Sequence, residues 1–83
     1  MSFTYKIVNS IPKGSAGVVT KVRYHYEGIE LEKDIEHDVP ETIQEVIALI
    51  TQEGNILLPT LQNLKNQADI IDQLNQMTDE QPI

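Results

Sequence analysis

The chemistry-bearing side chains cluster in one stretch: Glu30, Glu32, Asp34 and Glu36 alternate along residues 29 to 38, with His37 beside them. Carboxylates at i, i+2 and i+4 of a strand stand ~6.7 Å apart on one sheet face, a spacing that could imitate a phosphate backbone and occupy the nucleic-acid groove of another protein. Duplex DNA presents a charge every ~1.7 Å, about four times more densely. Lys21, Arg23 and His25 on the preceding segment also oppose the row. The plainer expectation is a solvated sheet face whose charges discourage edge-to-edge aggregation. A metal site would need His37 to converge with Asp34, Glu36 and Asp38, yet strand alternation sends His37 to the other face. There is no HExxH and no EF-hand spacing. His25 and His37 are the only histidines, and neither lies near a nucleophile elbow or an isolated acid pair. Gly14-Ser15-Ala16-Gly17 lacks the GKS/T ending of a phosphate cradle. The expectation is therefore a non-enzyme with no catalytic residue, cofactor or metal.

Composition sets the bounds on what must position these groups. The chain has 83 residues, 40% of them hydrophobic, no Cys and a formal charge of −7. One small domain is the most that this length holds, and its core alone gives marginal stability, so self-association or a protein partner is expected. Without Cys there are no disulfides, thiolate zinc sites or cysteine nucleophiles. The acids lie mainly beyond residue 28, whereas Lys6, Lys13, Lys21 and Arg23 precede it. That balance speaks against direct nucleic-acid binding, which needs clustered Lys and Arg. The longest apolar run, Val46 to Ile50, is far short of the ~18 residues that read as a membrane span. Met1-Ser2-Phe3-Thr4 leads into alternation rather than a charged leader, so a soluble, cytoplasmic protein is expected.

The elements follow from periodicity. Phe3, Tyr5 and Ile7 alternate with Thr4, Lys6 and Val8, predicting a strand over about 2 to 9 and a loop over 11 to 17. Residues 18 to 27 read as a second strand with Val22, Tyr24 and Tyr26 on one face. Glu27-Gly28 predicts a two-residue hairpin turn that sets Tyr26 opposite Ile29, Tyr24 opposite Leu31, Arg23 opposite Glu32 and Lys21 opposite Asp34. His25 is then the cross-strand partner of Glu30. Phe3, Tyr5, Tyr24 and Tyr26 are expected to pack as core beneath the helices rather than to stack on bases, because the bases of the second strand point the other way.

Asp38-Val39-Pro40-Glu41 reads as a capping box opening a first helix, with Ile43, Val46, Ile47 and Ile50 inward and Gly54-Asn55 as its stop. A second helix is expected to start between Asn55 and Thr60, with Pro59 in its first turn, and to run to about Met77. Residues 78 to 83 read as a polar tail. The expected fold is thus α+β, a three-stranded antiparallel sheet over 2–39 followed by a helical hairpin over 40–77. Along the second helix Leu57, Leu61, Leu64, Ala68 and Ile71 form a short heptad-like seam, widened by Ile70, Leu74 and Met77. Its remaining surface is rich in amides, including Gln67 and Gln73, which suit an interface where charge is disfavoured. The candidate interface is therefore Leu57, Leu61, Leu64, Gln67, Ile70, Ile71, Gln73, Leu74 and Met77.

Ser2-Phe3-Thr4-Tyr5-Lys6-Ile7-Val8, the strand from Val18 to Glu27 and the acidic return through Asp38 resemble small proteins encoded by tailed bacteriophages. The resemblance covers about the first 40 residues and transfers no functional residue. It implies a virion component or small accessory factor, located in the host cytoplasm or the virion.

Overall fold

The two-residue turn Glu27-Gly28 organises the sheet. Both residues lie at positive φ, 49° and 84°, as a hairpin turn matched to the right-handed strand twist requires. The computed structural model describes residues 2–38 and 42–83. Among them three strands, β1 (Phe3–Lys13), β2 (Gly17–Tyr26) and β3 (Ile29–Asp38), form one antiparallel sheet in the order β1-β2-β3. The β2–β3 register is the one the turn predicts: Tyr26 faces Ile29, Tyr24 faces Leu31, His25 faces Glu30, Arg23 faces Glu32 and Lys21 faces Asp34.

β1 is longer than its alternation suggests, because Ile11, Pro12 and Lys13 continue the strand and the connection shrinks to Gly14–Ala16. Pro12 is tolerated since β1 is an edge strand, where a missing donor costs no ladder bond on the outer side. The pairing with β2 shifts by one residue between Ile7 and Asn9, leaving Val8 as a bulge. The shift brings Ser10 opposite Thr20. Their hydroxyls are hydrogen-bonded at 2.9 Å, and Thr20 Oγ1 lies 3.0 Å from His37 Nε2, a polar thread across the helix-facing side of the sheet.

The helical half of the expected architecture is corrected. Among the described residues there is one helix, α1 (Ile43–Gln76), not two, and Gly54 and Pro59 both lie inside it. Gly54 is not a stop but a point of close approach: a Cβ there would sit 2.9 Å from Cε1 of Tyr24 and 3.4 Å from Cζ of Phe3. The buried Tyr24 hydroxyl donates to the carbonyl of Ile50 at 2.6 Å, just one turn earlier. Pro59 deprives the carbonyl of Asn55 of its helical donor, and burial of the flanking turns through Leu57 and Leu61 offsets that loss. The start of the helix is also moved. Asp38 ends β3, residues 39–41 lie outside the described residues, and the cap is Thr42, whose Oγ1 accepts from the backbone N–H of Glu45 at 3.2 Å.

The core lies between α1 and the β2–β3 half of the sheet. Val22, Tyr24, Ile35, Val46, Ile50 and Leu61 are buried, with Phe3, Tyr26, Ile29, Leu31, Leu49 and Leu57 packed against them. Phe3 meets Tyr24 and Tyr26 with ring centroids 6.2 and 6.3 Å apart. Tyr5, Ile43 and Ile47, expected in this core, are exposed, because one helix cannot also cover β1.

Candidate protein-interaction interface

An α-helix rises ~1.5 Å per residue, so the 34 residues of α1 span roughly 51 Å, whereas a ten-residue strand spans only ~33 Å. The molecule is accordingly elongated, 64 × 23 × 17 Å. Leu61, wholly buried, is the last buried residue of α1, and Leu64 and Lys65 are half-buried. The Lys65 ammonium is held above its ordinary pKa mainly by its 2.7 Å hydrogen bond to Asp69, with Glu27 at the hairpin tip and Asp72 adding weaker attraction. Beyond this point residues 66–76 form a helical arm with every residue exposed.

The arm is apolar where nothing of its own chain lies beneath it. Ile70 is 53% exposed, Ile71 49%, Leu74 61% and Met77 56%, and Ile56, further back on the outer side of α1, is 60% exposed. Isolated exposed hydrophobics are ordinary on a protein surface, whereas several on one helical stripe make a larger apolar patch. The sequence-derived interface therefore divides. Leu61 belongs to the chain's own core and is unavailable to a partner, and Leu57 and Leu64 are half-buried beside it. Gln67, Ile70, Ile71, Gln73, Leu74 and Met77 stand exposed together on the arm and the turn that ends it.

Ile56 and Pro59 fall outside the expected interface because a helix break is expected between 54 and 60, whereas Asn63 reads as part of the amide-rich surface of the second helix. Once α1 is continuous, Ile56, Pro59, Asn63, Gln67, Ile70, Leu74 and Met77 recur every three or four residues and share one stripe. At 100° per residue it lies about two-fifths of a turn from the stripe that packs on the sheet. Between Gly54 and Leu64 there is no charged residue, and the charges of the arm, Lys65, Asp69 and Asp72, sit on its far side.

A second apolar surface is a depression of about 330 Å³ between β1 and the first turns of α1, lined by Tyr5, Ile7, Val18, Ile43, Val46 and Ile47. The opposite sheet face is charged. Glu30, Glu32, Asp34 and Glu36 are all exposed there, but Glu32 accepts from Arg23 at 2.7 Å and Glu36 pairs with Lys13 at 2.6 Å. Among the described residues no group of three or more His, Asp or Glu side chains is placed to hold a metal ion. Among them, too, no helix is long and apolar enough to cross a membrane.

Compared with protein-family models, characterised proteins and solved structures, the chain matches none.

Proposed function

We propose that this chain is a non-enzymatic structural or assembly module that acts by self-association or by docking on another protein through the arm of α1. The observation that carries this reading is the arm itself, with Ile70, Ile71, Leu74 and Met77 half or more exposed beyond the reach of the sheet. Most helical stability in proteins comes from packing an apolar face rather than from propensity, so a helix that continues past its sheet gains from a second surface against it. The phage resemblance fits the same role, that of a virion component or small accessory factor.

The test is solution mass by light scattering, alone and with candidate partners, for the native chain and for Leu74→Glu. Association that Leu74→Glu abolishes supports the reading. Association unchanged by it overturns the assignment to the arm.

A second reading, an acidic inhibitor that mimics nucleic-acid charge, draws on the exposure of Glu30, Glu32, Asp34 and Glu36 on an uncovered sheet face. It is the weaker one, because Arg23 and Lys13 occupy two of the four carboxylates. Binding of this kind would weaken steeply with salt, and arm-mediated association would not.

A further inference from the structure

Resting on the self-association form of that function, we infer that the partner of the arm is a second copy of this chain, and that the two α1 helices pair antiparallel about a two-fold axis at Asn66–Gln67. The exposed outer stripe is Ile56, Pro59, Asn63, Gln67, Ile70, Leu74 and Met77, and it complements itself when reversed. With Asn66 set against Gln67 of the other copy, Asn63 meets Ile70, Pro59 meets Leu74 and Ile56 meets Met77. Ile56 and Pro59 at one end of the stripe thus cover Met77 and Leu74 at the other, and Asn63 borders Ile70. The amides fall at the centre, where each carries both donor and acceptor and the pair satisfies itself across the axis. A two-fold contact requires this kind of self-complementarity, since the same patch serves both chains.

Length points to the same occupant, and the charge of the stripe does not bar it. Two copies of a chain with a charge of −7 repel, so a like-with-like contact needs a surface free of acids, and this stripe carries none between Ile56 and Met77. Asp69 and Asp72 lie on the far side of the helix. The overlap from Ile56 to Met77 is 22 residues, roughly 33 Å, about three heptads. That is enough for a sustained helical seam with a polar pair to fix its register. The inner seam cannot substitute, because Leu61 is already buried against the sheet, leaving Leu64, Ala68 and Ile71 too short by themselves. Edge-to-edge strand pairing is disfavoured as well. The bulge at Val8 and Pro12 interrupt β1, and β3 is lined with acids.

The absence of cysteine makes the register directly readable. Full-length chains carrying Ile56→Cys or Met77→Cys are mixed, oxidised with glutathione disulfide and analysed by mass spectrometry, with light scattering on the reduced proteins. Both positions are exposed, and circular dichroism checks that each variant folds. The expected result is a dimer in which the mixed Ile56→Cys/Met77→Cys disulfide exceeds either like-with-like disulfide by several-fold. Dominant like-with-like disulfides, indicating parallel helices, overturn the register while leaving self-association intact. A dimer that forms none of these disulfides above the level in denatured chains also overturns it, and places the contact elsewhere, such as the groove beside Tyr5 and Ile7. A monomer at every concentration overturns the second-copy assignment, and the arm's docking role then stands or falls with Leu74→Glu against foreign partners.

Discussion

The two halves of α1 use the same residue types toward different ends. From Val46 to Leu61 the helix presents Val46, Ile50, Gly54 and Leu61 to the sheet, where Tyr24 and Val22 close over them. From Asn66 onward Ile70, Ile71 and Leu74 recur with similar spacing but stand about half exposed or more. What separates them is the reach of the sheet together with their phase around the helix, not their composition. The hairpin tip at Glu27-Gly28 ends the surface on which the helix can lie, and the chain continues past it. α1 therefore carries a core stripe that ends where the sheet stops and, at another phase of the helix, an exposed stripe that runs on from Ile56 to Met77.

That division predicts a graded response to substitution. In the sheet-bound half Leu61→Ala removes a fully buried side chain and should cost about 2–5 kcal/mol by chemical denaturation. A cost below ~1 kcal/mol would mean that Leu61 is not core and would blur the comparison. Gly54→Ala sets a backbone gain in helix propensity of ~1 kcal/mol against a methyl 2.9 Å from Tyr24. Overpacking of this kind typically costs about 1–3 kcal/mol, so a net loss of stability is expected. A net gain would show that the helix can lift from the aromatic pair.

Tyr24 gives the sheet-bound half a pH signature. Burial, with help from Glu53 and Tyr5, pushes its phenol from 10.0 up to about 12. A raised pKa means that the folded state keeps its proton where the unfolded chain loses it. The contribution is therefore complete below pH 10 and is lost as pH rises from about 10 through about 12, to a total on the order of 2 kcal/mol. Tyr24→Phe should flatten that slope while removing the hydrogen bond to Ile50. An unchanged slope would place the titrating group elsewhere. In the arm, Leu74→Ala should alter the stability of the isolated chain by less than ~0.5 kcal/mol yet weaken association seen by sedimentation. A large loss of monomer stability would mean that the arm folds back on its own sheet.

How much of this was legible in the sequence depended on whether a local signal also had to satisfy tertiary packing. The β2–β3 hairpin was fully readable, because a two-residue turn and one-residue alternation leave a single register in which Arg23 meets Glu32 and Lys21 meets Asp34. The helix was misread at Gly54-Asn55 and Pro59, both ordinary break signals. There the requirement of Tyr24 for a residue without a side chain, and the burial of Leu57 and Leu61, outweighed local preference. β1 was cut short at Pro12 because edge position, which makes proline harmless, is a property of the sheet and not of the segment. The acidic row was readable from spacing alone, and Gln67, Ile70, Ile71, Gln73, Leu74 and Met77, expected at an interface, lie exposed on the arm and the turn that ends it. Ile56 and Pro59 join the stripe only with the helix continuous, and the N-cap at Thr42, whose Oγ1 accepts from the Glu45 backbone N–H, was hidden by a similar pattern four residues earlier.

The most direct test of the division within α1 is amide hydrogen exchange along the helix over a dilution series. The account predicts that amides from Ile50 to Leu61 keep the same protection at every concentration, while those from Asn66 to Gln76 are protected only when the chains are concentrated and exchange rapidly on dilution. Arm amides that stay protected at the lowest concentration, or that exchange freely at the highest, would contradict it.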